Sequence, residues 1–327
     1  MKRRFERHLP EKGIWTGLAC LLLTGLIGCA GSGAPAAATT DTLPQAAQSS
    51  VDADTDQAAD TTEAAQERVV ALSRSAGELW LLAGGTLAGI TEDGLELEGI
   101  SPDITLTGTN HKPNREAVIG LAPTLVLYSG SISAQTELAS FLEEQGVETL
   151  SADMDSFADY DALMQTLCAR TGRDDLYAGH VTDVAREIEA VRSQVAERGA
   201  ADASYLALQI SATKNKALKK DYFACEIFDD LGLHNIAEDA SALNELSVEA
   251  VLAADPAYIF LIPMGTEEEA RDSYEQAFAA NPAWQSLSAV QADHVYDMPK
   301  ELFRFKPGAR WGEAYRYAFD LIYGGNK

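Results

Sequence analysis

The chain has 327 residues, of which 46% are hydrophobic and 23% are charged, and its formal net charge is −25. This composition suits a globular protein with room for roughly two domains of ~150 residues each. The excess of 50 acidic over 25 basic residues argues against nucleic-acid binding, because a protein needs a basic surface to displace counterions from phosphates. It also argues against electrostatic adhesion to anionic lipid, and four cysteines are too few for a disulfide scaffold.

The N-terminal segment predicts export. Basic residues at the start of the chain are followed by an apolar stretch from Ile14 to Ile27, which is the pattern of a secretory signal. The end of this stretch, Leu26-Ile27-Gly28-Cys29, resembles the bacterial lipobox, which implies cleavage before Cys29 and acylation of its thiol. A transmembrane anchor is the alternative, but the stretch is short for the ~20 residues that span a bilayer. We therefore expect a protein on the outer face of the cytoplasmic membrane, attached only through lipid on Cys29.

Composition and periodicity divide the rest of the chain. We predict a signal peptide over residues 1–28 and, because residues 30–67 hold seven acids and no base, a disordered acidic tether over 29–67. Apolar runs that alternate with helical patterns predict a parallel αβ sheet on each side of one long amphipathic helix. The predicted N-terminal lobe spans 68–173, the interlobe helix 174–200 and the C-terminal lobe 201–327.

The predicted elements follow in chain order. The predicted strands are 69–72, 87–90, 124–128 and 147–150 in the first lobe, then 205–209, 258–262 and 294–296 in the second. The predicted helices are 73–83, 132–145, 157–170, 174–198, 225–231, 247–254, 271–280 and 311–323. The predicted fold class is thus α/β, with two Rossmann-like lobes. We expect the ligand cleft between the lobes, because parallel sheets bind ligands at the carboxyl ends of their strands.

An internal repeat supports two similar lobes. Residues 116–126 and 249–259, which are offset by 133 positions, both begin Glu-Ala-Val and both carry a proline before an apolar run. Each copy predicts a short helix opened by a capping residue, Asn114 or Ser247, then a proline stop and a strand. Chance similarity between two αβ units is the alternative, and we favour a structural repeat.

These features together resemble a known family. The lipobox, the tether, the two Glu-Ala-Val helices and the single long helix resemble the helical-backbone family of ABC-importer substrate-binding proteins. The family carries ferric siderophores, haem and cobalamin, and the resemblance covers about residues 68–327. In the family, one glutamate in each lobe docks onto arginine pockets of the two permease subunits, which implies this role for Glu116 and Glu249. Helix-dipole stabilisation of a first-turn carboxylate is the alternative explanation for both residues.

Basic, polar and aromatic residues after the predicted strands are candidate ligand contacts. Basic residues are scarce in this acidic chain, yet they cluster in loops that would face the cleft, and aromatic residues interleave with one cluster. Such a surface suits a large anionic, partly flat ligand, through charge-assisted hydrogen bonds and stacking. Solvated surface lysines, or an internal ion pair for Arg310, are the alternative. The candidates are Arg74, Asn110, His111, Lys112, Ser129, Lys214, Lys216, Lys219, Phe303, Arg304, Lys306 and Arg310, with Lys220 and Phe305 beside them.

Other polar residues indicate less. The histidines show no HxH or HxxxH pair, so no metal site or resident cofactor is predicted. If the ligand is haem, His111 is the candidate axial contact, with Tyr128 or Tyr222 as alternatives. Cys168 and Cys225 lie in apolar helical patterns, where buried free thiols are favoured over an interlobe disulfide.

The functional prediction is a monomeric solute receptor that delivers an iron complex, a ferric siderophore or haem, to an ABC permease. No P-loop, nucleophile elbow or HExxH motif occurs in the sequence, so we predict no enzymatic activity. Three alternatives stay open: a corrinoid binder of the same fold, a chelatase-like two-lobed enzyme, and a sensory or adhesive lipoprotein that binds a protein partner.

Overall fold

Two parallel β-sheets, one on each side of a long helix, organise the chain. This computed structural model describes residues 67–238 and 247–324. The predicted signal peptide, Cys29 and nearly all of the predicted tether therefore lie outside the described residues. The division into domains stays a prediction, although the elements described below follow the predicted αβ order.

The first sheet has five parallel strands in the order β3-β2-β1-β6-β7. Its central strand β1 has no exposed surface, as expected for a sheet that helices cover on both faces. The elements are β1 (Val69–Ala71), α1 (Arg74–Leu82), β2 (Leu87–Ile90), β3 (Thr105–Leu106), β4 (Gly108–Thr109), β5 (Lys112–Pro113), α2 (Arg115–Gly120), β6 (Leu125–Tyr128), α3 (Ser133–Glu144), β7 (Glu148–Ser151) and α4 (Phe157–Thr171). Strands β4 and β5 form a separate antiparallel hairpin.

The predicted interlobe helix is continuous from residue 174 to 198. It consists of α5 (Asp174–Tyr177), a π-helical turn (Ala178–Thr182) and α6 (Asp183–Arg198). The apolar stripe that predicted this helix is buried from Val181 to Val195. The helix therefore packs through its apolar face, as its amphipathic pattern predicts.

The second sheet has the order β10-β8-β11-β12, all parallel, with the short strand β9 antiparallel to β8. Its elements are β8 (Ala203–Ile210), β9 (Lys216–Ala217), α7 (Phe223–Asp230), β10 (Leu233–Asn235), α8 (Val248–Ala254), β11 (Tyr258–Pro263), α9 (Glu267–Tyr274), α10 (Ser288–Gln291), β12 (Val295–Asp297), α11 (Lys300–Phe303) and α12 (Trp311–Tyr323). The α/β class and the two lobes are thus confirmed.

The two copies of the repeat fold alike. In the first lobe the Asn114 side chain accepts hydrogen bonds from the backbone N–H groups of Glu116 and Ala117, at 3.1 and 3.2 Å. In the second lobe the Ser247 hydroxyl accepts from the N–H of Ala250 at 3.4 Å. Each cap opens a short helix that leads through a proline into an interior strand of the sheet, β6 or β11.

One hydrophobic cluster joins the lobes. Trp311, at the start of α12, is fully buried. Its ring packs edge-on against Phe157 of the first lobe and Phe223 of the second, with centroid distances of 5.9 and 5.6 Å. Each such aromatic contact stabilises the fold by about 0.5–1.5 kcal/mol beyond the effect of its buried area. The cluster therefore holds the two lobes together.

Candidate ligand site between the lobes

Each sheet has a topological switch point. In the first sheet the chain leaves β1 towards β2 on one side and leaves β6 towards β7 on the other. In the second sheet it leaves β8 towards β10 on one side and leaves β11 towards β12 on the other. Open α/β sheets bind ligands in the crevice at such points. In the first lobe the crevice is bordered by Arg74, after β1, and Ser129, after β6. In the second lobe it is bordered by Lys214, after β8, and Gly265, after β11.

An aromatic ring at the lobe boundary is flanked by two guanidinium groups. The Cζ of Arg74, from the first lobe, lies 5.2 Å from the centroid of the Phe305 ring, and the Cζ of Arg304 lies 5.1 Å from it. These distances fall within the range of cation–π attraction. Arg304 also donates through Nη1 to the carbonyl of Gly265 at 2.9 Å. The second-lobe segment is thereby tied to its own switch point while its ring faces the other lobe.

Arg74 keeps unused hydrogen-bonding capacity. Its Nε is buried and has no hydrogen-bond partner among the residues that the structure describes. Burial is the largest influence on nearby Glu78 and raises its pKa, against the lowering effect of Arg74 and Arg310. A buried guanidinium donor without a partner is costly, so Arg74 is suited to pair with an incoming anion.

Lys306 connects the lobes. Its Nζ donates to the carboxylate of Asp155 at 2.8 Å and to the carbonyl of Met154, both in the loop after β7 of the first lobe. The ammonium also lies 5.4 Å from the centroid of the Phe223 ring. This predicted ligand contact is therefore already paired with the other lobe.

Ser129 belongs to a hydrogen-bonded cluster at the ends of β6 and β7. Its hydroxyl donates to Asp153 Oδ1 at 2.7 Å, while the Ser151 hydroxyl and the Gly130 N–H donate to Oδ2 at 2.6 and 2.7 Å. Burial alone would raise the pKa of Asp153, but these hydrogen bonds together hold it below its ordinary value. The carboxylate stays ionised and fixes both loops.

The β4–β5 hairpin carries three predicted contacts. Fully buried Gln135 donates through Nε2 to the carbonyls of Asn110, at 2.8 Å, and Leu72, at 2.7 Å, which ties the hairpin to the loop after β1. His111 is exposed at its tip. Lys112, also exposed, lines a groove that contains Glu116.

The lysine cluster of the second lobe lies beside its switch point. Lys214 closes a tight turn in which its backbone N–H donates to the Ser211 hydroxyl at 3.0 Å. Lys216 belongs to β9, a strand that the sequence did not predict, and Lys219 is half-buried after it. Within residues 67–238 and 247–324, none of these three ammonium groups forms an ion pair.

Two predicted contacts occupy positions that do not suit ligand binding. Phe303 is fully buried and stacks on Phe228 at 5.9 Å, so its ring has no face for a ligand. The neighbouring Phe305, which the sequence placed beside it, is the accessible ring. Arg310 forms a two-pronged ion pair with Glu313, at 2.7 and 2.8 Å, so the alternative of an internal pair holds.

Tyr222 is partly buried, and the two cysteines are fully buried. The Tyr222 hydroxyl donates to the carbonyl of Phe303 at 2.8 Å, and burial raises its pKa, which leaves a poor iron ligand. Cys168 and Cys225 are buried free thiols, as favoured from the sequence. No group of three metal-ligating side chains converges anywhere in the described part of the chain. No helix in that part is long and apolar enough to cross a membrane.

Glu116 and Glu249 are both exposed in the first turns of α2 and α8. Glu249 accepts a hydrogen bond from the Ser247 hydroxyl at 2.8 Å. Its own backbone N–H and that hydroxyl hold its pKa below the ordinary value. Both carboxylates are therefore exposed at a helix N-terminus and available to a partner.

Known proteins share this architecture. Residues 56–302 match the model of a family described as "Periplasmic binding protein". The high-affinity heme uptake system protein IsdE of Staphylococcus aureus strain MRSA252 is 22% identical over 227 residues, which cover 68% of this chain and 75% of that protein.

Solved structures agree in fold. The S. aureus IsdE structure complexed with heme has a TM-score of 0.69 at 20% identity, and the match covers 79% of this chain and 99% of that chain. An ABC transporter substrate-binding protein from Listeria monocytogenes EGD-e gives 0.67 at 22% identity, with 80% and 100% covered. The vitamin B12 binding protein BtuF of Vibrio cholerae gives 0.65 at 21%, with 78% and 96% covered.

Proposed function

The chain belongs to the periplasmic binding protein family, and from this premise we propose that it is the extracytoplasmic solute-binding component of an ABC importer. The proposed cargo is an iron complex, a ferric siderophore or haem, that the protein captures between its lobes and delivers to the permease. This role needs binding and release and no chemical step on the ligand.

The arrangement around Phe305 carries the proposal. A half-buried aromatic ring lies near a guanidinium from each lobe, beside the switch points of both sheets. A flat conjugated ligand gains from stacking on such a ring, and its anionic groups gain from charge-assisted hydrogen bonds to the arginines. Haem with two propionates and siderophores with carboxylate or catecholate groups have both properties. The name of IsdE, a heme uptake protein, points in the same direction.

A corrinoid is the second candidate cargo. The structural match to BtuF, a vitamin B12 binder, is nearly as good as the match to the heme-bound structure. A corrinoid is also large and partly flat, but it offers fewer anionic groups to Arg74 and Arg304, so we rank it second.

Attachment and docking belong to the same proposal. We propose that lipid on Cys29 holds the protein at the outer face of the cytoplasmic membrane and that it acts there as a monomer. Glu116 and Glu249 would each meet a basic pocket on one permease subunit. Exposed charge pairs of this kind contribute mainly orientation and association rate.

A ligand screen tests the cargo. The protein is heated with haemin, a ferric hydroxamate, a ferric catecholate or cyanocobalamin, since only a ligand that binds the native state raises the unfolding midpoint. We expect haemin or one ferric siderophore to raise the midpoint, with a matching change in its visible absorbance. A rise with cyanocobalamin alone would replace the iron complex by the corrinoid, and no rise with any probe would contradict the proposed function.

A further inference from the structure

Lys306 has little capacity left for an external ligand. A lysine ammonium has three donors, and two of them are used by the Asp155 carboxylate and the Met154 carbonyl. The remaining face lies over the Phe223 ring at 5.4 Å. Only 27% of the Lys306 side chain is exposed, against 60% for Asp155. An anion from solution therefore reaches this ammonium by replacing the exposed partner, Asp155.

Asp155 can leave without disturbing its loop. Its backbone N–H donates to Asp159 at 3.1 Å, and the next residue, Ser156, also donates to Asp159, at 2.7 Å. The following residue, Phe157, donates through its N–H to Glu226 of the second lobe at 2.9 Å. These bonds fix the backbone independently of the Asp155 side chain, whose 60% exposure leaves it free to turn into water.

From this geometry we infer that Asp155 is a built-in competitor for the ligand's anionic group. In the ligand-free protein it neutralises Lys306 across the cleft, and a ligand carboxylate of suitable reach displaces it. The inference rests on the proposed function and adds a specificity element to it. A ligand without an anionic group leaves the pair of Asp155 and Lys306 in place and gains nothing from Lys306, so only an anionic group of suitable reach uses this position.

The competition also links the two lobes. Asp155 is two residues from Asp153, which holds the Ser129 and Gly130 loop of the first lobe. Lys306 is next in sequence to Phe305, whose ring lies near both Arg74 and Arg304. Replacement of Asp155 by a ligand thus exchanges a direct bond between the lobes for one bridged by the ligand.

The first test needs no ligand. Lysine reactivity is measured by brief acetylation of the full chain and mass spectrometry of its peptides. We expect Asp155→Asn to raise the acetylation rate of Lys306 about three- to tenfold, because a half-buried ion pair of ordinary strength is lost. Lys214 and Lys216 should react as before and serve as internal references. Asp183→Asn, which removes an equal charge from an exposed pair with Arg186, is the matched control. An unchanged rate at Lys306 would overturn the inference.

The second test measures competition. Haemin, its dimethyl ester, which lacks the two propionate charges, and the best probe of the ligand screen are each titrated into wild type and Asp155→Asn. We expect Asp155→Asn to bind haemin about three- to tenfold more tightly and the ester unchanged. In a Lys306→Met background, Asp155→Asn should have no effect on affinity.

The outcomes separate the two ideas. If a probe binds but its affinity does not respond to Asp155→Asn, competition is wrong while the proposed function stands. If no probe binds to wild type or to Asp155→Asn, the proposed function and the competition are both wrong, whatever the reactivity of Lys306.

Discussion

Ala122 and Asp255 adopt the same left-handed backbone conformation, with φ angles of 45° and 43°, at equivalent places in the two lobes. Each residue follows the short helix of the repeat, precedes a proline and leads into an interior strand of its sheet. The two residues differ in how this conformation is compensated. Asp255 accepts hydrogen bonds from the backbone N–H and the hydroxyl of Ser288, at 2.7 and 2.6 Å, whereas the methyl group of Ala122 accepts none.

Glycine substitution should therefore act in opposite directions at the two positions. A left-handed conformation costs a non-glycine residue about 1–2 kcal/mol, which glycine avoids. Glycine also loses more conformational entropy on folding, and this loss offsets part of the stabilisation. We expect Ala122→Gly to raise the free energy of unfolding by about 0.5–1 kcal/mol. Asp255→Gly should lower it by about 1 kcal/mol, because two hydrogen bonds to Ser288 are lost. Urea unfolding at neutral pH measures both, and equal effects would show that the hydrogen bonds to Ser288 do not distinguish the two positions.

The repeat illustrates what the sequence could predict. Buried parallel strands are continuous apolar runs, so β1, β2, β6, β8 and β11 were recognisable. The strands β3, β4, β5 and β9 have only two residues each, and most of these residues are exposed, so no burial pattern marked them. The left-handed turn itself was not predictable, since alanine and aspartate share no turn signal.

The sequence also predicted part of the candidate site. Strand-end reasoning placed Arg74, Ser129 and Lys214 at the edges where the switch points lie. The sequence named Phe303 as a contact with Phe305 beside it, and no local pattern showed that α11 ends at Phe303 and turns that ring into the core. The pairing of Lys306 with Asp155 joins residues 151 positions apart, which no local pattern reveals.

Glu226 should make stability depend on pH. It lies half-buried between the lobes and accepts the Phe157 N–H, and burial, its largest influence, raises its pKa above the ordinary 4.5. The folded protein then binds a proton more tightly than the unfolded chain, so stability falls as pH rises from about 4.5 through the raised pKa.

Glu226→Gln removes this dependence while keeping an oxygen to accept from Phe157. We expect it to unfold with a free energy about 0.5–1 kcal/mol higher than wild type at pH 7, and the difference should shrink towards pH 4. Denaturant unfolding at several pH values measures this. Glu197→Gln, at an exposed position of α6, controls for net charge. A Glu226→Gln variant that is less stable at every pH would contradict the burial argument.

Arg304 and Phe305 should contribute differently to ligand affinity. Reversing the charge with Arg304→Glu should weaken an anionic ligand at least tenfold and spare a neutral one, because charge-assisted hydrogen bonds are lost. Phe305→Ala should weaken flat ligands of either charge by about three- to thirtyfold through lost stacking. Binding titrations with haemin, its dimethyl ester and cyanocobalamin compare the two.

The control for these variants is Arg186→Glu, which reverses a charge at an exposed position of the interlobe helix. It should leave every affinity unchanged. An Arg304→Glu variant that weakens charged and neutral ligands equally would defeat the electrostatic explanation, since the loss would then reflect packing.

Glu116 and Glu249 should affect transport and leave binding intact. Both are exposed, and neither forms an ion pair within the residues that the structure describes. The double variant Glu116→Arg with Glu249→Arg should abolish uptake of the cargo in cells, because like charges would face each other at both of the proposed docking points. Ligand affinity of the purified variant should stay within about twofold of wild type, because neither charge belongs to the arrangement of Arg74, Arg304 and Phe305.

A comparison of single and double variants makes this test sharper. Two equivalent docking points predict that each single reversal slows uptake and that the double reversal stops it. Glu137→Arg with Glu268→Arg reverses the same charges at exposed positions of α3 and α9 and should transport normally. If the docking pair transports as well as this control pair, the symmetric carboxylates serve only their helix N-termini, where each interacts favourably with the helix dipole.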